Sequence, residues 1–303
     1  MMPFHKLCRN ILLTGVRRAE APVPVVITAP PPALQPLIDE TESRKRSRDL
    51  AATRYGNSYR SAYWAGYLLS SIAVALALLT IGLPALGGIF VGLEILVISS
   101  ILLIYVVGSK KRWHQNWLEA RRDAEFLRHQ PLVTLLKSSS GEAQDQHFLP
   151  TETARDLLLD QQGLWPWIQQ QVSEQINYHH ARAHDEHHLR HRVHRIAFGC
   201  FILTFIAVAL HLVIHSNWLS IAAAFFPSLA AALTGVIAHS ESERLEIDSK
   251  QMVSILQGLL TQLKTLPTSL SDRQTLLSKS LDALLSDIDD WHVYAKEKTL
   301  TLA

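Results

Sequence analysis

Two long stretches without lysine or arginine constrain this chain more than any other feature. All 29 Lys and Arg residues lie outside residues 61–107 and 196–237. Each of these stretches holds two apolar runs of about 20 residues, the length at which an α-helix crosses a hydrocarbon core of about 30 Å. The sequence therefore predicts four membrane-spanning helices. Their approximate bounds are 62–83, 85–107, 196–214 and 218–237.

The placement of positive charge predicts how these spans are oriented. Lys and Arg are retained on the cytoplasmic side of a membrane, and the two short turns between paired spans carry neither residue. Both termini and the long middle segment are therefore expected in the cytoplasm. The predicted fold is an all-α, multi-pass membrane protein with four transmembrane helices in two hairpins, whose extended cytoplasmic helices form a bundle.

Composition divides the chain into five parts. Residues 1–37 are basic and then rich in proline, and we expect them to be disordered because proline removes backbone donors. The first helical hairpin is expected over 38–130, and Pro131 is expected to end its last helix. The other parts are a cytoplasmic connector, a second helical hairpin and a C-terminal cytoplasmic helix, at 131–163, 164–265 and 266–303.

Residues at helical spacing predict where helices pack on each other. Within the spans, stripes of small residues favour close approach of helices in lipid, either within one subunit or between subunits. These stripes are Gly66, Ser70, Ala73 and Ala77 in the first span, and Ala224, Ser228, Ala231 and Gly235 in the fourth. Outside the spans, two further seams are typical of helix bundling. They are Trp113, Trp117, Ala120, Ala124 and Leu127, and Leu277, Leu281, Leu284, Ile288 and Trp291.

Glu94 is the only acidic residue in either stretch that lacks Lys and Arg. A carboxylate in hydrocarbon costs about 2.5 kcal/mol or more unless it is neutralised, paired or hydrated. Two explanations fit this position: an ion or proton pathway, or a neutral carboxylic acid that is hydrogen-bonded inside the helix bundle. The sequence leaves both open.

A run of seven histidines precedes the third span, in "NYHHARAHDEHHLRHRVHR" at residues 177–195. The positions that could hold a metal are His180, His184, His187 and His191, several of them four residues apart on a helix. Metal binding and pH sensing by titrating imidazoles remain alternatives. We favour a solvated cationic helix without metal, because a zinc site needs three or four ligands held by a second shell.

The segment "RYGNSYRSAYWAGYLLSSIAVALALL" runs into the first span, and "KKRWHQNWLEARRDAEFLRH" follows the second span. In the tyrosines that enter the membrane and the Trp-rich basic exit, they resemble the SLATT family, a two-transmembrane effector domain found beside nucleotide-synthesising and nucleotide-sensing domains in bacterial conflict systems. The resemblance covers about residues 45–130 and, more loosely, 177–265. It implies an effector of the bacterial inner membrane that forms pores or disrupts the membrane when a linked sensor detects a signal.

This chain departs from that family in having two hairpins and no recognisable sensor domain. It also lacks a Gly-rich phosphate loop, a nucleophile elbow, an HExxH pair and a CxxC pair, so we expect neither an enzyme nor a cofactor. The expected partners are the lipid bilayer, further copies of the chain and a cytoplasmic nucleotide-sensing or signalling protein, but not nucleic acid. The expected function is a pore-forming or membrane-perturbing defence effector. The alternatives are a non-conducting scaffold that recruits a cytoplasmic partner, and an ion transporter that uses Glu94.

Overall fold

The protein is almost entirely helical. A computed structural model describes residues 2–141 and 149–296, and the side chains within them up to residue 285. It is 85% helical and has no strand in the described ranges. Four helical segments are long and apolar enough to cross a membrane. The all-α class and the four candidate spans are thus confirmed.

The helices follow one another with short connections. In chain order they are α1 (Phe4–Leu12), α2 (Gln35–Gly82), α3 (Gly87–Lys110), α4 (Trp113–Ser140), α5 (Thr151–Leu159), α6 (Leu164–His211), α7 (Asn217–Ser240), α8 (Ser242–Lys264) and α9 (Leu270–Lys296). Helices α2 and α6 each contain 48 residues. Such a helix is about 72 Å long. Each therefore extends far beyond the apolar segment at its C-terminal end.

The first half of the chain (α2 to α4) and the second half (α6 to α8) share one plan. Helices α2 and α6 have equal lengths, and α3 and α7 each have 24 residues. After α3 and after α7 the backbone turns left-handed, at Arg112 (φ 48°) and Glu241 (φ 54°), and no other non-glycine residue among those described has a positive φ. This conformation costs about 1–2 kcal/mol for a residue with a Cβ. Both halves thus interrupt the helical path at the same point.

Contacts between helices arrange the four apolar segments in the order α3, α2, α7, α6. Helix α2 contacts both α3 and α7, and α7 also contacts α6. The α2–α7 contact is close, because a Cβ built on Gly235 would lie only 2.5 Å from Cε1 of Tyr67. Helix α3 lies at one edge of this arrangement, and none of the residues in its most apolar stretch is buried.

A second packed region surrounds Trp165, which is fully buried. Its indole N–H donates to the carbonyl of Leu158 (2.9 Å), which also accepts from Nη1 of Arg273 (2.8 Å). This bundle core is formed by buried apolar residues of α4, α5, α6, α8 and α9. Part of the C-terminal predicted seam lies in this core, since Leu277, Leu281 and Leu284 are buried. The side chains of Ile288 and Trp291 lie outside the described residues.

Two features differ from the sequence-based expectations. Residues 1–37 contain helix α1, and beyond it Val23 exchanges two backbone hydrogen bonds with the side-chain amide of Asn177 (3.2 and 2.9 Å). Side chains of α6 thus replace the partners that a Pro-rich segment cannot find within itself. The prediction that Pro131 ends its helix is wrong, since α4 continues to Ser140. Complete burial of the neighbouring Leu135 helps to offset the hydrogen bond that proline cannot donate.

Candidate functional site

A cavity of about 340 Å³ lies where α1, α2, α4, α6, α7 and α8 meet; we call it the junction cavity. It adjoins a second cavity of about 280 Å³ that reaches toward the bundle core. Residues that line both are Lys6, Arg60, Trp117, Tyr178 and Arg182. The combined space therefore runs alongside α2, close to the point where α2 enters its apolar segment.

One wall of the junction cavity is aromatic. The Tyr59 ring stacks on Trp117 with centroids 5.8 Å apart, and its centroid lies 4.4 Å from that of His114. Tyr59 Oη and Nε2 of His239 are 2.9 Å apart and share a hydrogen bond. Burial raises the pKa of Tyr59 far above its usual range, so the phenol stays neutral. These contacts join α2 to α4 and to the end of α7.

Gly56 allows this wall to form. A Cβ at this position would lie 2.8 Å from Nε1 of Trp117, so only glycine lets the indole approach α2 so closely. On the neighbouring turn, the Arg60 guanidinium lies over the Trp117 ring, 4.7 Å from its centroid. The aromatic wall thus holds one cationic group in place beside the cavity.

Another part of the wall is ionic. Nη1 of Arg9 donates to Glu186 (2.7 Å), whose side chain is only 6% exposed. Burial opposes the charge on Arg9, but the carboxylate of Glu186 raises its pKa overall. This pair joins α1 to α6 and neutralises the buried carboxylate.

Helix α1 also brings His5 against α2. Nδ1 of His5 and Oγ of Ser61 are 3.2 Å apart. Burial, followed by the charge of Arg60, lowers the pKa of His5 to about 4. The imidazole is therefore neutral at neutral pH and adds no positive charge to the cavity.

The histidine run forms a row along one side of α6. Ring centroids are 4.4 Å apart in the pairs His184–His188 and His187–His191. Within the described residues, no group of three or more His, Cys, Asp or Glu side chains is placed to hold a metal ion. His180 and His191 contribute to no such group. The row lies beside a buried stripe of α6 that includes Glu186.

His187 belongs to an ion-pair cluster around Glu246 of α8. The carboxylate of Glu246 is 5% exposed and accepts from Lys250 (2.6 Å) and Arg190 (2.9 Å), and it pairs with Nδ1 of His187 (2.9 Å). Burial alone would raise the pKa of Glu246, but these hydrogen bonds lower it to about 2. These ion pairs stabilise the packing of α8 against α6.

Replacing Glu246 with glutamine is expected to lower the free energy of unfolding by about 2 kcal/mol, because the charged donors lose the negative charge and one of the two acceptor oxygens. The pKa of the folded state lies below the ordinary value of 4.5. This contribution is therefore complete above about pH 4.5 and disappears as the pH falls toward 2. Unfolding of the purified chain across this pH range measures it.

Asp248→Asn provides the control for that measurement, since Asp248 lies on the same helix and pairs with Arg244 (3.2 Å) with its own side chain 50% exposed. The control should change the free energy of unfolding by less than about 0.5 kcal/mol. Equal losses in the two variants, or a Glu246→Gln deficit that persists at acid pH, would contradict the role given to Glu246.

Glu94 lies on α3, two turns from its beginning at Gly87, and is partly exposed. In the described part of the chain, its carboxylate has neither a hydrogen bond nor an ion pair. Of the small residues predicted to pack, Gly235 contacts Tyr67 and Ser70 donates to Gly66 (2.9 Å). Ala73, Ala77 and Ser228 are partly buried, whereas Ala224 and Ala231 are exposed in the single chain.

Sequence reasoning missed the junction cavity. Arg60 lies just before the first predicted span, and Arg182 lies in the histidine run that is predicted to be solvated. Arg9 lies in a segment that is expected to be disordered. One signal in the sequence indicated this site. Arg60 follows a tyrosine at the edge of an apolar run, and a cation buried there needs a partner from another helix. Comparison with protein-family models, curated proteins and solved structures finds no match. Evidence on function therefore comes from the residues described above.

Proposed function

We propose that this protein is a multi-pass effector of the bacterial inner membrane that assembles into oligomers and makes the membrane permeable to ions. The main observation that supports this proposal is the position of Glu94. It is an acidic residue within an apolar segment, on the helix at the edge of the arrangement, and its carboxylate has no partner among the described residues. A carboxylate in that position requires water or a second protein surface. A water-filled passage between subunits would supply both.

The order α3, α2, α7, α6 favours assembly in a ring. Its two edges are different, since α3 lies at one and α6 at the other. Joining unlike edges is a heterologous contact, which repeats from copy to copy and closes into a ring when the rotation allows. Such a contact would bring Glu94 of every copy into an interface. In this proposal the two membrane hairpins have outward tips, and the bundle and both termini are cytoplasmic.

Glu94→Gln is the test of this function. The amide keeps the shape of the side chain but removes the charge that attracts cations. A unit charge about 10 Å from the ion at an effective dielectric constant of about 20 contributes nearly 2 kcal/mol, so cation current should fall roughly tenfold. The measurement is current across planar bilayers, together with growth of cells after induction.

Two controls complete the test. Glu152→Gln removes a carboxylate that is 84% exposed on α5 and should leave the current unchanged. Glu94→Leu, matched for membrane abundance, removes the same charge and should lower the current at least as much as Glu94→Gln. The mass of the purified protein gives the subunit number. Unchanged current in both Glu94 variants, or a strict monomer, would reject the pore and favour a non-conducting scaffold.

A further inference from the structure

Two guanidinium groups that line the junction cavity have no ion-pair partner within the described residues. Arg60 and Arg182 line both cavities, and neither forms an ion pair within the described residues. Of the four carboxylates that line the two cavities, Glu186 pairs with Arg9 and Glu125 pairs with Arg121 and Arg128. Asp49 and Glu241 are the other two. Burial, followed by the charge of Arg182, lowers the pKa of Arg60, so these two guanidinium groups repel each other.

We propose that the junction cavity binds a phosphate-bearing anion between Arg60 and Arg182, with Lys6 at its mouth. A guanidinium offers a planar set of donors that matches phosphate oxygens in pairs. The volume of about 340 Å³ lies within the range of small-ligand sites. This inference goes beyond the proposed function and does not depend on it.

The walls indicate what else such a ligand would carry. Tyr178 lines both cavities and is 47% exposed, so one part of its surface is open to a bound group. The Tyr59 and Trp117 rings add apolar wall beyond it. The cavity therefore combines two guanidinium groups with an aromatic surface.

Two sources of this chemistry can reach the site. Tyr63 and Trp64 line the junction cavity, and on α2 they lie just inside the first apolar segment. The cavity is therefore at the level where lipid headgroups would meet the protein. Its continuation toward the bundle core is equally open to a soluble phosphate compound. The shared feature is the phosphate, and experiment separates the sources.

The test uses the full chain in lipid nanodiscs under three conditions. They are phosphatidylcholine alone, phosphatidylcholine with phosphatidylglycerol, and phosphatidylcholine with added inorganic pyrophosphate. The readouts are the unfolding temperature and the bound mass of ligand. The test variant is Arg60→Gln with Arg182→Gln. The control is Arg54→Gln with Arg122→Gln, which removes the same charge from two exposed positions on α2 and α4.

We expect either phosphatidylglycerol or pyrophosphate to raise the unfolding temperature of the wild type and the control. In the test variant, affinity for that ligand should fall roughly 100-fold, because two charged donors are lost. Without ligand, the test variant should unfold at the same temperature as the wild type or higher, since mutual repulsion is removed. A response to phosphatidylglycerol identifies a headgroup site, and a response to pyrophosphate identifies a soluble ligand.

A wild type that responds to neither compound, or a test variant that responds as the wild type does, overturns the proposal. If the double variant does not fold, Arg182→Gln alone repeats the test, because among the described residues Arg182 makes no cation–π contact like that of Arg60. Binding is measured without any ion current. Failure of this site and failure of the proposed permeability are therefore separate results.

Discussion

Replacing Gly235 with leucine is expected to lower the free energy of unfolding by about 3 kcal/mol. The first added carbon would lie 2.5 Å from Cε1 and 2.8 Å from Cδ1 of Tyr67, and the rest of the side chain would extend into the same ring. Because the Tyr67 ring of α2 packs directly against α7, either this ring or the two helices must move apart to make room. Thermal unfolding in nanodiscs, with proteolysis at the turns as a second readout, measures the loss.

Gly92→Leu and Gly199→Leu are matched controls for this experiment. Both glycines lie in apolar segments, and a Cβ at either position would meet nothing within 4 Å. Each control should therefore change the unfolding temperature little. A loss as large in Gly92→Leu as in Gly235→Leu would mean that helix propensity or lipid contact causes it, and not the approach of α7 to α2.

Trp165→Ala is expected to have the largest effect, a loss of about 3–5 kcal/mol in the free energy of unfolding. The indole is completely buried where five helices meet, and its N–H satisfies the carbonyl of Leu158. Alanine leaves a cavity and removes one of the two donors to that carbonyl. Denaturant unfolding followed by circular dichroism, with proteolysis of the bundle, measures the change.

Phe126→Ala is the control, because Phe126 is also aromatic but is 50% exposed on α4. It should cost less than about 1 kcal/mol. If Trp165→Ala costs no more than this control, the bundle core does not depend on Trp165, and α5 and α9 are held by other contacts.

The apolar segments could be predicted closely, because their bounds depend on local composition. The expected span at 62–83 ends within one residue of Gly82, and the one at 218–237 lies inside α7. The continuation of α4 through Pro131 could not be predicted. It depends on burial against α5 and α9, which the local sequence around a proline does not reveal.

Much of the candidate site was beyond sequence reasoning for a similar reason. Glu94 was evident, because one carboxylate in an apolar run is a local anomaly. The ion pair of Arg9 with Glu186 joins residues 177 positions apart, and no spacing rule connects them. The histidine run drew attention to His187, yet its partner Glu246 is on a helix that follows two apolar segments.

The left-handed residues Arg112 and Glu241 have a mechanical consequence. Helices α2 and α6 enter the apolar region without a break, whereas α3 is followed by a two-residue connection and α7 by a single residue, Glu241. A displacement of the bundle core would therefore be transmitted along α2 and α6 to the C-terminal ends of their apolar segments. The helical backbone is not continuous from α3 into α4 or from α7 into α8, so these helices do not transmit such a displacement in the same way. In each half an unbroken helix enters the apolar region and a left-handed break follows the helix that returns, so α3, which carries Glu94, is joined to α4 by a break in the helical path.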